Sequence, residues 1–263
     1  MAHSVKYLLY LIVLTVCLCV LDVPKAQAQV DWTQLPYSDG EEIIYTIYYN
    51  WKFVWVPAGE VRFRVTEKAE HLEFDVTGKS FSSYDSFFKV RDYYTSEVNK
   101  ETLMPIRFTR DVLEGNYQRF DSLSFRHCDN LVEEYFGKTR ETAKAFEFFI
   151  SEVAHDMVSI IYHLRTYPIE SFEKDDKIPV EIFFDKELFQ LDVNFRGKVK
   201  KKIKGMGKQS AYHFQPDLVD GYVFSEGDVM DIWISDDGKR LPLLIESPIK
   251  YGSIKAVLTK VRL

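Results

Sequence analysis

Hydrophobic and polar residues alternate along most of this chain. In Glu60-Val61-Arg62-Phe63-Arg64-Val65 the apolar Val61, Phe63 and Val65 fall on one face of an extended strand and the charged residues on the other. Leu72, Phe74 and Val76 repeat the pattern, and further strands are predicted over Glu41 to Tyr49, Tyr93 to Val98, Ile106 to Leu113, Tyr117 to Phe125 and Leu131 to Phe136. Turn signals recur at a spacing of roughly ten residues, which is how a large antiparallel sheet or barrel looks in sequence. Pro57-Ala58-Gly59 reads as a turn after the aromatic segment Trp51 to Val56. At the other end, Asp231 to Ser235, Arg240 to Glu246 and Ser253 to Val261 read as a three-stranded meander, with Gly238 of Asp237-Gly238 supplying the positive φ of a tight hairpin turn.

In the middle the period changes from two to about 3.6. Ile150, Val153, Met157, Ile160, Ile161 and Leu164 form one apolar stripe, so an amphipathic helix is predicted over Ser151 to Tyr167. Ser151 is its expected N-cap and Pro168 its stop. Strands resume as Val180 to Phe184, Leu188 to Phe195, Lys198 to Lys204, Tyr212 to Phe214 and Leu218 to Phe224. No linker rich in Pro, Gly or Ser divides the two halves. The expected fold is therefore mainly β: one large curved antiparallel sheet, a half-barrel, with a central amphipathic helix on its concave face, all in a single domain over residues 29–263. Where the helix stops short, near Tyr162 and Tyr167, an apolar pocket is expected.

The N-terminus changes the picture of where this sheet resides. Lys6, an apolar run from Tyr7 to Leu21 and Ala26-Gln27-Ala28 make up a secretory signal peptide over residues 1–28, too short in its apolar part for the ~20 residues of a membrane span. Cleavage after Ala28 removes Cys17 and Cys19, leaves Cys128 as the one cysteine and leaves no transmembrane span in the mature chain. The expected address is the Gram-negative envelope, in the periplasm or on the periplasmic face of the outer membrane. With 15% aromatic residues and a net charge of −6, the chain is suited to strands and unsuited to nucleic acid.

Candidate chemistry is sparse. No nucleotide-binding loop, nucleophile elbow or zinc helix occurs, and no metal or cofactor is expected. Spacing puts His155, Ser159 and His163 on one helix face beside Asp156, so a Ser/His/Asp hydrolase is one reading and polar helix-to-sheet contacts the plainer one. In a strand, His127 and Cys128 would point to opposite faces, which argues against a thiol catalyst. Lys198, Lys200, Lys202 and Lys204 would share one side of a strand as an anion-binding row, or protect a sheet edge. Trp51 and Trp55, with Tyr162 and Tyr167, are the aromatic candidates for a ligand site, against the alternative of ordinary core.

Gly40-Glu41 opening an aromatic strand, Asp156 to Arg165, Trp233 to Pro242 and Gly252-Ser253-Ile254-Lys255-Ala256 together resemble the exported bacterial family called domain of unknown function 3108. The resemblance spans nearly all of the mature chain. It implies an exported protein with a long, strongly curved antiparallel sheet and a helix against its concave side, similar to YmcC-like and lipoprotein-carrier half-barrels, and it carries over no catalytic residue. The function expected is a non-catalytic binding or carrier module for a lipid-like or glycan ligand. The alternatives are a structural or assembly factor binding an envelope protein or polymer, and the hydrolase.

Overall fold

The computed structural model describes residues 34–51, 54–218, 227–249 and 252–263, with Trp51 described in its backbone only. The predicted signal peptide with Cys17 and Cys19, the side chain of Trp51 and most of the predicted strand Leu218 to Phe224 lie outside the described residues. Among the described residues, fourteen strands form a single antiparallel sheet. They are β1 (Glu42–Trp51), β2 (Val54–Glu67), β3 (His71–Ser80), β4 (Val90–Asn99), β5 (Pro105–Glu114), β6 (Tyr117–Arg126), β7 (Leu131–Gly137) and β8 (Lys144–Phe149), then β9 (Lys177–Phe184), β10 (Glu187–Ile203), β11 (Gly207–Pro216), β12 (Asp231–Ser235), β13 (Pro242–Ile249) and β14 (Gly252–Arg262). Each half of the chain is a meander, and the halves join through β1 and β14, giving the order β8 to β1 followed by β14 to β9. The sheet curves without closing into a barrel.

Alternation explains why these residues make strands. On β3, Leu72, Phe74, Val76 and Gly78 are buried while their neighbours are half-exposed or exposed, the mark of a sheet covered on one face. Cross-strand register extends each row, so that Ile47, Ala256, Ile245 and Ile232 line up on one face, and Thr46, Val257, Leu244 and Trp233 on the other.

Three turn predictions are corrected. Pro57-Ala58-Gly59 lies inside β2, where the register slips opposite Ile47 and Tyr48. This is a bulge that accommodates Pro and a Gly whose Cβ would sit 2.5 Å from the Lys79 carbonyl oxygen. Leu188 to Phe195 and Lys198 to Lys204 are one strand, β10, kinked between Phe195 and Gly197. Between β12 and β13 the positive φ falls on Arg240 (φ 49), not on Gly238. The loop is shaped by the Asp237 carboxylate, which accepts from Ser235 Oγ (2.7 Å) and from the Lys239 and Arg240 N–H groups (3.0 and 3.2 Å). Strand β8 was not anticipated, because its largely exposed sequence KAFEFF offers little alternation.

The helix is present but far shorter than its apolar stripe: α1 spans Ser159–Leu164. Ser151 is not its cap, and Val153 is 58% exposed. From 154 to 156 the backbone is extended and pairs with β9 instead, His155 N–H donating to the Glu181 carbonyl and Phe183 N–H to the His155 carbonyl, both at 2.8 Å. Asp156 starts the helix, its Oδ1 accepting from the N–H groups of Val158 (2.7 Å) and Ser159 (2.8 Å). Docking rests on Tyr162, which stacks on Phe74 with ring centroids 3.8 Å apart, and on Ile160, buried among residues of β9, β10 and β11.

Two further contacts shape the open sheet. The β9–β10 turn, Asp185-Lys186, crosses to β5–β8: Asp185 Oδ1 lies 2.6 Å from Arg110 and 2.8 Å from Arg119. The Lys186 ammonium sits 4.0 and 4.2 Å from the ring centroids of Phe136 and Phe146. On the outer face, away from the helix, the far end of the β10–β11 hairpin packs Ile203, Val199 and Met206 with Trp233, Leu244 and Val257. It reaches β1, where Lys204 Nζ lies 4.3 Å from the Tyr48 ring centroid.

Candidate functional site

Between α1 and the inner face of the sheet lies a cavity of ≈ 350 Å³. Its floor is the row Ile47, Ala256, Ile245 and Ile232 together with Ile43, Tyr45, Val61 and Phe63, and its roof is Ile161, Tyr162, Leu164 and Arg165 of the helix segment. Alternation explains the floor, since every second residue of β1, β2 and β12 to β14 must be apolar to face the helix. Among the described residues, none that lines the cavity is acidic. Two arginines reach the wall. Arg165 is committed: its guanidinium holds the buried Glu41 carboxylate at 2.7 and 3.0 Å and donates to the carbonyls of Lys239 and Pro36. Arg240 is only partly committed, donating through Nη1 to the Arg165 carbonyl (3.1 Å) and through Nη2 to Glu170 (3.0 Å), while its buried Nε has no partner among the described residues. The buried Tyr162 hydroxyl also lacks one, and burial pushes that phenol's pKa well up.

The predicted ligand residues do not converge on this cavity. Tyr162 lines it; Tyr167 does not, lying instead edge-on to His163 at 5.5 Å. Trp55 is on the outer face beneath Lys255 Nζ, 4.2 Å from its ring centroid. Of the predicted anion row, Lys198, Lys200 and Lys202 are exposed on one side of β10, whereas Lys204 follows the end of the strand and turns to Tyr48. Lys198 already pairs with Asp236 at 2.6 Å.

The serine and histidines do meet, but as a sealed cap. His155 Nδ1 lies 3.1 Å from Ser159 Oγ. Asp156 turns away from His155 and accepts from Ser96 Oγ (2.6 Å) as well as from the helix start, so no Asp–His–Ser relay forms. Ser159 is 1% exposed. Burial, with a contribution from His163, lowers the His155 pKa to about 3 and keeps the ring neutral. Cys128 sits exposed in a short 3-10 turn, and the neighbouring His127 Nε2 contacts the Pro105 carbonyl at 2.8 Å.

A second polar cluster occupies the inner face of β4–β7. Asp121, almost fully buried, is held by Arg110 and by Arg119 at 2.9 Å, and Asp185 bridges the same two arginines from above. Glu134, 1% exposed, keeps Oε2 without a partner. Burial, helped by Asp121, raises its pKa to about 7, and burial beside Glu114 raises Asp92 to about 7 as well. Among the described residues, His71, Glu73 and Glu97 have the spacing of metal ligands, all within 4.8 Å. Lys68 (3.2 Å) and Arg107 (3.5 Å) already neutralise the two carboxylates, which makes this a surface ion-pair group.

Comparison with known proteins bears on the whole of this arrangement. The family model for proteins of unknown function DUF3108 matches residues 44–259. The chain belongs to the DUF3108 family. The match runs from β1 through α1 to β14, so both arginines, most of the sheet and every residue of the cavity lining but Ile43 lie within it. Similar solved structures include a β-barrel-like protein of domain of unknown function DUF1849 from Brucella abortus, at TM-score 0.57 and 10% identity over 86% of this chain and 98% of that one. A Bacteroides fragilis protein with YmcC-like fold aligns at TM-score 0.33 and 10% identity over 87% of this chain and 98% of that one. The first shares the fold with this DUF3108 protein. No curated protein matches the sequence.

In this DUF3108 member, sequence reasoning missed Arg240 and the Asp92–Glu134 cluster. Arg240 was hidden in what read as the first residue of a strand. The cluster had a faint signal: Asp92, Tyr94 and Ser96, and Asp121 and Leu123, put charge at positions whose alternation assigns them to the apolar side.

Proposed function

We propose that this protein is an exported, non-catalytic binding or carrier module for a lipid-like ligand, working in the periplasm or at the periplasmic face of the outer membrane. The observation that carries the reading is the ≈ 350 Å³ cavity walled by Ile, Val, Leu and Phe side chains between α1 and the sheet. An unfilled apolar void of this kind lowers stability by roughly 24 cal/mol per Å³, and an apolar guest recovers part of that. A glycan fits poorly, because its hydroxyls need partners that these walls do not offer. The address rests on the leader over residues 1–28. Native mass spectrometry of protein purified from its own host is the test, paired with Ala256→Trp, which fills the cavity from its floor. The expected result is a co-purifying lipid that the variant loses. Protein free of lipid, or lipid retained equally by the folded variant, counts against the carrier.

One observation favours a second reading, a factor that binds an anionic envelope polymer through the exposed lysine side of the β10–β11 hairpin, opposite the side on which Val199 and Ile203 pack. Lys202 stands directly opposite Lys208 across β10 and β11, and like charges in that position destabilise a sheet. The row Lys198, Lys200, Lys202 and Lys204 would then serve an anionic partner. Replacing all four with Gln should weaken binding to anionic vesicles or polysaccharide and flatten its salt dependence. Unchanged binding together with new aggregation would instead make the row an edge guard.

A further inference from the structure

We infer that the cavity takes a single-chain amphiphile whose polar end is an anion, a carboxylate or phosphate, held by Arg240. This rests on the carrier reading above and names its ligand class. Volume sets the chain number: small-ligand sites run from about 300 to 1,000 Å³, and ≈ 350 Å³ sits near the lower bound, room for one acyl chain and not for two. Charge sets the polar end. Of the two guanidinium groups at the wall, Arg165 is saturated by Glu41 and two carbonyls. Among the described residues, Arg240 retains a buried Nε with no acceptor, and no lining residue is a carboxylate that could supply one. A buried guanidinium donor left unpaired is costly, and an anion in the cavity would both pair it and be paired by it.

Backbone conformation adds a third, independent point. Arg240 has φ 49, a left-handed conformation that Gly or Asn adopts more cheaply. A long charged side chain at such a position is a local cost that its reach to the cavity, the Arg165 carbonyl and Glu170 explains. Glu170, exposed at the rim, competes for the same guanidinium.

The test compares hexadecanoate with hexadecanol by displacement of a fluorescent fatty-acid probe, in the full mature chain and in three variants. The unmodified protein should prefer hexadecanoate by about tenfold or more, the size of one charge-assisted hydrogen bond. Arg240→Gln should erase that preference while hexadecanol still binds. Glu170→Gln, an exposed change that spares the fold, should enlarge it by freeing the guanidinium. Equal affinity for the two probes in the unmodified protein, a preference that survives Arg240→Gln, or one that disappears in Tyr162→Phe instead would each overturn the assignment to Arg240 and leave the cavity reading standing. If neither probe binds, both fall together.

Discussion

Along the inner face, β1, β2 and β12 to β14 present Ile47, Phe63, Ile232, Ile245 and Ala256 and leave a cavity beneath the helix. Strands β4 to β7 present Asp92, Arg110, Asp121 and Glu134 and are spanned by the β9–β10 turn through Asp185 and Lys186. The same half-barrel curvature is handled in two ways. Dispersion has no direction, so an apolar wall asks only for contact and sets no partner geometry. Buried charges must be answered one by one, and on β5 and β6 Arg110 and Arg119 each answer both Asp121 and Asp185. The apolar half is thus free to bind, and the charged half is free only to hold.

The comparison breaks most severely if the charged half can be loosened without cost. Asp121→Ala strips the shared partner from Arg110 and Arg119, and denaturant unfolding should show a loss of about 3–5 kcal/mol. A loss under about 1 kcal/mol would mean that the network is dispensable. In the apolar half, Ile160→Ala removes a side chain buried against β9 to β11, for about 2–5 kcal/mol. Leu164→Ala only enlarges a cavity that already exists, so its cost should be smaller by roughly 1 kcal/mol or more; equal costs would mean that Leu164 is packed as core. The smallest effect depends on pH. Asp92 and Glu134 hold their protons up to about 7 in the folded chain, above the ordinary carboxylate range. The unfolded chain releases those protons first, so their contribution to stability declines as pH rises through that window. His155 acts oppositely, since its folded pKa of about 3 lies below the unfolded value and stability falls as pH drops below about 6.5. Asp92→Asn should therefore raise the melting temperature at pH 8 by roughly three times as much as at pH 5, since the loss accumulates between about pH 4 and pH 7. An equal gain at both would show that Asp92 is already ionised in the fold.

Strands were legible wherever one face is wet and the other dry. β2 and β3 announce themselves through Val61, Phe63 and Val65 and through Leu72, Phe74 and Val76, and the C-terminal meander is the observed β12, β13 and β14. The helix was over-read because Ile150, Val153 and Met157 keep helical spacing by coincidence. The unpaired edge of β9 offers backbone groups that draw His155 into an extended bridge, and Asp156, not Ser151, is placed to cap what remains. The cavity's polar end was illegible because Asp237-Gly238 suggests a two-residue turn, while the Asp237 carboxylate gathers a longer loop and passes the left-handed conformation to Arg240. For Ser159 and His155 the spacing left chemistry and plain polar contacts both open, and the fold buries the pair in contact with each other.

The pairing of β1 with β14 at the middle of the sheet decides when the protein can be complete. Glu42 meets Arg262 and Tyr49 meets Ile254, positions near opposite ends of the chain. A polypeptide delivered N-terminus first can zip β1 to β8 as it emerges, yet one long side of β1, with its cavity-facing Ile43, Tyr45 and Ile47, stays open until the last strand arrives. Such distant pairing closes late and slowly. The chamber beneath the helix, whose floor straddles that seam, therefore takes shape only once β14 has paired with β1.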